Sequence, residues 1–321
     1  MKRKLAVILT LAMLLTSLPF YAFAIDEPQE GGEQTELTDQ QDMESAKPVA
    51  HPDGWDGDSY YKGGKALTGP QYISGKKTVS KKVKYYYNKK KKKWQTKKIK
   101  KAKTKYKKVK KTVNANTLYL FDSGGKLVNK KGVFSYNGKE YYGLGNGMLK
   151  TGWVAVGKNA MFFYNKGSNL GSMAKNTTIG YLKIPKSGRL GEAYALGVKQ
   201  LNKSGWSLKK AYKFSYKLKY KNRWYRQKTA EKYAIRGFKK KNGNCYVMAS
   251  TFYIQAKLLG YNVRQVQGKV GIWPHSWTVI KQKGRWYVYD PNFKNETGRN
   301  GWKIWYGKRG TWRYSKYKYM N

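Results

Sequence analysis

The chain holds one cysteine and two histidines, and the cysteine and one histidine stand where both could react. Cys245 follows Gly243-Asn244 and precedes Met248, Ala249, Phe252, Ala256 and Leu259, apolar residues at spacings of three and four, before Gly260. That period predicts a buried helix, capped by Asn244 and opened by Cys245. A thiol at a helix N-terminus feels the positive end of the dipole. This favours the thiolate, the form that attacks carbonyls, and the free N–H groups beside it can hold an oxyanion. His275 lies in the strand-like run Pro274-His275-Ser276-Trp277-Thr278-Val279-Ile280, and Asp290 ends the alternating run Arg285-Trp286-Tyr287-Val288-Tyr289 before a Pro291 stop. Lys283-Gly284 between them makes a two-residue hairpin loop, because glycine tolerates positive φ at its second position. That loop pairs Gln282 with Arg285 and sets Asp290 opposite Trp277, with His275 a diagonal neighbour on the same face. Cys245, His275 and Asp290 can then serve as nucleophile, base and orienter.

Each of the three has a plainer reading alone: a buried cysteine as a small hydrophobe, a structural histidine, an aspartate that ends a strand. Together they argue for chemistry. They are the only cysteine, the only histidine besides His51 and one of six acidic residues beyond Asp58, in a consistent order. A single cysteine also excludes a disulfide framework and a cysteine-rich zinc fold.

The surrounding pattern supplies the elements that must position these groups. Leu208, Ala211, Tyr212, Ser215 and Leu218 form a helical stripe with Ser207 as its cap, a second helix covers residues 229–238, and residues 262–267 read as a strand. Helices followed by strands make up residues 176–321, the C-terminal domain. Within it, Gly243-Asn244-Cys245 with Ala249, then His275-Ser276-Trp277, then Asp290-Pro291 resemble the Gly-x-Cys, His-x-Trp and Asp-Pro positions of the transglutaminase-like cysteine superfamily, over about residues 190–300. The resemblance implies a papain-like α+β core with Cys245 as nucleophile, His275 as general base and then acid, and Asp290 as orienter. The reaction it implies is acyl transfer from a protein or peptide amide through a thioester. The acceptor is an amine in cross-linking, or water in peptidase, amidase or deamidase chemistry. No metal or organic cofactor is implied, and the domain lacks the carboxylate cluster that calcium requires. The family's oxyanion donor side chain has no counterpart here; the backbone N–H of Cys245 is the first donor and the second stays open.

The rest of the chain speaks of address and retention. Lys and Arg number 67 against 17 Asp and Glu, a net charge of +50, which points to an anionic partner and says nothing of fold. Residues 1–24 read as a secretory signal: basic Lys2-Arg3-Lys4, an apolar run, and the small-x-small site Ala22-Phe23-Ala24. No later segment is apolar enough to span a membrane. Export disfavours nucleic acid as partner and favours an anionic wall polymer, with the protein held at the cell surface. Residues 25–58 carry eleven acidic residues and one lysine and read as a disordered linker. Residues 59–112 form a basic segment. Within its stretch 76–111, twenty of thirty-six residues are lysine, interleaved with Val83, Tyr85, Trp94 and Tyr106, which allows either a solvated coil or lysine-faced hairpins.

Residues 113–175 hold a loose repeat. An aromatic pair, a glycine turn and a leucine recur from Leu118, Glu140 and Met161, each unit a small hairpin that needs stacked neighbours to bury its aromatics. With Thr151-Gly152-Trp153, this stretch resembles the choline- and glucan-binding cell-wall repeats of Gram-positive surface proteins. Trp153 is the one indole placed to help build a choline cage, so a structural spacer and a choline site are both open. Two functions compete for the whole chain. One is a wall-associated Cys-His-Asp acyl-transfer enzyme; the other is a non-catalytic surface adhesin that binds anionic polymer.

Overall fold

The computed structural model describes residues 51–100, 102–305 and 313–320. The signal-like segment and residues 25–50 of the acidic stretch lie outside them. No helix among the described residues is long and apolar enough to cross a membrane. The strands β1 (Gly54–Asp56), β2 (Ser59–Lys62) and β3 (Lys65–Ala66) form an antiparallel sheet. β1 therefore corrects the reading of residues 25–58 as one unstructured linker. Its Trp55 finds aromatic partners in Tyr60 and Tyr119, with ring centroids 5.2 and 5.1 Å away, and the acidic composition of the segment concealed them.

The lysine-rich segment takes the hairpin alternative. β4 (Gly69–Asn88) and β6 (Thr104–Phe121) pair antiparallel from Gly69↔Phe121 to Tyr86↔Thr104, with β5 (Lys93–Gln95) added at the outer edge of β4. Eighteen cross-strand pairs make a ribbon on the order of 60 Å long at the rise of an extended strand. Its register keeps most of the lysines from facing one another directly, Lys82↔Lys108 on the other face being an exception. On one face, successive pairs set lysine opposite an apolar or aromatic residue: Lys77↔Val113, Val79↔Lys111, Lys81↔Val109, Val83↔Lys107 and Tyr85↔Lys105. Like charges directly opposite would destabilise the ladder, whereas lysine stems can cover the valines while their ammonium ends stay in water. Aromatic faces take up further charge, Lys105 lying 4.0 Å from the Trp94 ring centroid and Lys84 within 5.7 Å of the Tyr86 and Tyr106 rings.

The inner end of the ribbon enters a six-stranded sheet with β7 (Lys131–Tyr136), β8 (Lys139–Gly145) and β9 (Met148–Leu149), in the order β5-β4-β6-β9-β8-β7. The hairpin of β10 (Gly152–Val156) and β11 (Asn159–Phe163) follows. The repeat units stack as their aromatics require. Leu118, Leu120, Tyr141 and Leu149 share one core with Phe134 and Leu170, and Val154, Met161, Phe163 and Met173 make the next with Val133 and Tyr142. Trp153 is 7% exposed and packs edge-on against Phe162 at 5.2 Å, in the same core as Leu190, Ala193 and Val198. Its indole is spent on packing rather than on an open cage.

After the short hairpin β12 (Thr177–Ile179) and β13 (Leu182–Ile184) come α1 (Glu192–Ser204), α2 (Leu208–Tyr216), β14 (Lys219–Tyr220), α3 (Ala230–Lys240), β15 (Asn242–Gly243) and α4 (Cys245–Leu258). Ser207 and Thr229 cap α2 and α3, accepting from the N–H groups of Lys210 and Lys232. α4 is the central helix, and every residue in it but Lys257 is buried. It packs between α1, α2 and α3 and the antiparallel sheet β18-β17-β16-β19, made of β16 (Val263–Val270), β17 (Trp273–Gln282), β18 (Arg285–Tyr289) and β19 (Tyr314–Tyr319), with α5 (Pro291–Thr297) after β18. The domain is mixed α and β. The C-terminal stretch, which from sequence could either complete the sheet or extend the basic surface, pairs β19 with β16.

Candidate active site

Asn244 does what its position predicts: its side-chain oxygen accepts from the Val247 N–H at 3.3 Å, while its amide donates to the Arg223 carbonyl at 3.1 Å. Gly243 enters this cap at φ +158°, and a Cβ there would collide with the Val247 side chain. Cys245 thus begins the buried helix, 7% exposed, and its N–H, as the first of the helix, has no intrahelical acceptor. A buried polar chain aligns helix and sheet. The Ser250 hydroxyl of α4 donates to the side-chain Oε1 of Gln265 in β16 at 2.7 Å, and Gln265 Nε2 donates to the Ser276 hydroxyl of β17 at 2.9 Å. Ser276 adjoins His275, so this chain holds the imidazole's strand at a set height against α4. Nothing in the local pattern marked Ser250 or Gln265, because their partners are far apart in sequence.

The β17–β18 turn is as expected. Lys283 and Gly284 sit at φ +48° and +78°, and Gln282 pairs with Arg285. The ladder stops one pair short of the expected Asp290–Trp277 partnership, ending at Thr278↔Tyr289. Asp290 leaves the strand to cap α5, its Oδ1 accepting from the N–H groups of Asn292 and Phe293 at 3.0 Å each, with Pro291 in the first turn. An aspartate cap followed by proline is a helix-start signal, and reading Pro291 only as a strand stop hides α5.

Asp290 and His275 meet nonetheless, His275 Nε2 lying 2.8 Å from Asp290 Oδ2 with the carboxylate fully buried. The same oxygen accepts from the Tyr314 hydroxyl at 2.9 Å. The Asp290 main chain is held as firmly, its carbonyl accepting from the Tyr212 hydroxyl at 2.9 Å and its N–H donating to the Gly301 carbonyl at 2.8 Å. A side chain at Gly301 would run into that Asp290 carbonyl. On its other side the imidazole has Cys245 for a neighbour, which favours its protonated form and lines the same cleft. With Nε2 engaged by Asp290, the nitrogen left for the thiol is Nδ1. His275 and Asp290 are therefore one hydrogen-bonded pair beside Cys245, and Tyr314 and Tyr212 are its supports, both missed by local sequence patterns.

Burial works against a charged imidazole, but the negative Asp290, its hydrogen bond and Cys245 outweigh it and raise His275 to about 10. A group whose pKa is raised on folding stabilises the fold fully below its unfolded value, near 6.5, and loses that contribution as pH climbs through the folded value. The melting temperature of the wild type is therefore expected to fall between about pH 6.5 and 10 more steeply than that of His275→Gln. Parallel curves would show that His275 gains no proton affinity from its partners.

A cleft of about 670 Å³ opens at this chain, lined by Cys245 and His275, by Trp224 and Trp273, and by Asn292 and Glu296 of α5. The two indoles are 69% and 72% exposed. Burial, and after it the nearby Cys245, pushes the Tyr220 hydroxyl at the cleft up to about 12, so it stays a neutral donor.

No curated protein matches the chain. Among solved structures, it is similar to the choline binding domain of a Streptococcus pneumoniae protein, 26% identical over 23% of this chain and 82% of that one, with a TM-score of 0.18. It is also similar to choline binding protein F from Streptococcus pneumoniae, 28% identical over 43% of this chain, with a TM-score of 0.19, and it spans 47% of that protein's length. The transglutaminase-like superfamily matches residues 195–291, the stretch that contributes Cys245, His275, Asp290 and the helix and sheet between them. Residues 195–291 are a transglutaminase-like superfamily domain.

Proposed function

We propose that this chain is a secreted, wall-retained enzyme that carries out Cys-His-Asp acyl transfer on protein or peptide amides. The observation that carries it is the juxtaposition of Cys245 and His275 in the wall of one cleft, with His275 Nε2 2.8 Å from a buried Asp290. Cys245 attacks the amide carbonyl carbon, and the carbonyl oxygen, now negative, is met by the N–H of Cys245. The C–N bond breaks, His275 gives its proton to the leaving nitrogen, and the acyl group stays on sulfur as a thioester. His275, now neutral, takes a proton from water or an amine as that nucleophile forms its bond to the carbonyl carbon, and the C–S bond breaks. Asp290 holds the imidazole in one orientation throughout. A nucleophile at the head of a central helix, with its base on the adjoining antiparallel sheet, supports a papain-like core. The test is intact-mass detection of an acyl adduct on Cys245 after incubation with glutamine peptides. An adduct on wild type that is missing from Cys245→Ala and His275→Ala supports the reading, and its absence on wild type moves the function to the adhesin.

Retention is assigned to the β4–β6 ribbon, one face of which carries a lysine roughly every 7 Å along its length, the rise of two extended residues, supplied by Lys77 and Lys81 of β4 and Lys111, Lys107 and Lys105 of β6. That row suits a polymer with regularly spaced phosphates or carboxylates. Binding of the full chain to a polyphosphate matrix is expected to collapse between about 50 mM and 500 mM salt, because exposed charges are screened. It should weaken when Lys77, Lys81, Lys105, Lys107 and Lys111 become glutamine and persist in Cys245→Ala. Salt-independent binding would rule out the electrostatic anchor.

A further inference from the structure

Arg223, from the segment between β14 and α3, lines the cleft together with Cys245 and His275. Its place is fixed from two sides. β14 pairs in parallel with β15 as Lys219↔Asn242 and Tyr220↔Gly243, and just beyond, the Lys221 N–H donates to the Gly243 carbonyl at 3.0 Å. The Asn244 amide then donates to the Arg223 carbonyl at 3.1 Å, so the residue before the nucleophile holds the residue that carries the guanidinium. On the far side the Trp224 ring centroid lies 6.4 Å from that of Tyr246, the residue after Cys245. The first turn of α4 and Arg223 are thus positioned together.

The charge that Arg223 brings is uncommitted. From residue 176 onward the chain holds four carboxylates, Glu192, Glu231, Asp290 and Glu296. Lys239 takes Glu192 and His275 takes Asp290, and Arg223 makes no ion pair among the described residues. Other guanidiniums of the domain are engaged: Arg236 donates to Asn242 at 2.7 Å, and Arg264 lies over the rings of Trp286 and Tyr319. A planar fork of N–H donors in the wall of a reactive cleft matches a carboxylate, which it can bind through both oxygens. Glu296, the one carboxylate among the lining residues, disfavours a second negative group on the α5 side and leaves Arg223 as its place.

We propose that Arg223 is a carboxylate subsite, and that the acyl donor carries a free carboxylate near the amide that Cys245 attacks. This rests on the acyl-transfer reading and narrows it: the donor is an acidic peptide, its carboxylate at the C-terminus or on an Asp or Glu side chain.

Two small reagents read the subsite without turnover. Iodoacetate carries a carboxylate and iodoacetamide does not, so the ratio of their rates at Cys245, followed by intact mass of the full chain, measures how the cleft treats that charge. His275 and the many lysines favour any anion, and the ratio is therefore compared between variants. It should fall about tenfold in Arg223→Gln, as loss of a charge-assisted hydrogen bond predicts, and only partly in Arg223→Lys, which keeps the charge and loses the fork. It should stay near the wild-type value in Lys221→Gln, which removes a charge two residues away that does not line the cleft. An unchanged ratio in Arg223→Gln, or an equal fall in Lys221→Gln, overturns the subsite. If Arg223→Gln does not fold, a fall in Arg223→Lys against none in Lys221→Gln decides. Protection of Cys245 from iodoacetamide separates the two sources of carboxylate. N-acetyl-Ala-Ala protecting better than its C-terminal amide assigns the chain terminus, and N-acetyl-Asp-Ala amide protecting better than its Asn counterpart assigns the side chain. Protection by neither acid overturns the proposed donor class. An Arg223-dependent ratio with no acyl adduct on Cys245 would sink the enzymatic reading and leave the subsite standing; an adduct with an Arg223-independent ratio would do the reverse.

Discussion

Cys245→Ala is expected to lower amide turnover by ~10⁴-fold or more, because loss of a covalent nucleophile removes the thioester route itself. His275→Ala is expected to cost as much, since a thiol without its base and acid can neither be activated nor expel the leaving nitrogen. The two losses should not add. Residues that act as one unit fail together, so the double variant should resemble either single one. The fold should survive, for the cysteine is a small side chain in a helix whose packing comes mainly from Met248, Phe252 and Ile254, all of them fully buried. Unaltered melting with lost turnover is thus the expected pair of results for Cys245→Ala. Alkylation of Cys245 supplies an independent readout: near pH 6 it should be slower in His275→Ala, where the cation beside the sulfur is gone. Unchanged turnover in either single variant would remove the roles assigned here and leave a binding protein.

The second large effect concerns Asp290, where stability and chemistry meet in one carboxylate. It accepts from His275, Tyr314 and the N–H groups of Asn292 and Phe293, at full burial. Asp290→Ala strands these donors in the interior, and breaking such a buried charged network is expected to cost about 3–5 kcal/mol in urea unfolding. Turnover should fall with it. Asp290→Asn separates the two effects: the shape and most acceptor contacts remain, but the imidazole loses the negative partner that favours its protonated form, so kcat should fall by ~10³–10⁴-fold with a smaller loss of stability. Tyr314→Phe removes a single hydrogen bond and should cost about 1 kcal/mol with a modest drop in kcat. If Asp290→Ala unfolded within about 1 kcal/mol of wild type, the hydrogen bonds recorded at that carboxylate would not be contributing as buried partners.

Features governed by near neighbours were legible in the amino-acid order. A capping asparagine followed by apolar residues at three and four places Cys245 at the head of α4, because cap and period act within a few turns of one helix. A two-residue loop ending in glycine sets the register of β17 and β18 as far as Thr278↔Tyr289, which leaves Asp290, the next residue, within reach of His275. The caps of α2 and α3 follow from the same local rules. Other features depend on chain segments that meet only after folding. Composition left the lysine block open between coil and ribbon, and the ribbon is helped by cross-strand pairs that set valines opposite lysines, as Lys77↔Val113, Lys81↔Val109, Val79↔Lys111 and Val83↔Lys107. Trp153 could have faced a ligand, but it is enclosed by residues of α1 and by Phe162 of β11. Tyr314 reaches Asp290 from a strand that pairs with the far side of β16, a contact that no periodicity within either segment encodes. The turn of α5 that carries Asn292 and Glu296 into the cleft follows from Asp290 serving as a cap rather than as the last residue of a strand. Local order thus settled which groups could react, while long-range packing set their supports and the charge of the cleft wall, since those depend on the free energy of contacts between distant residues.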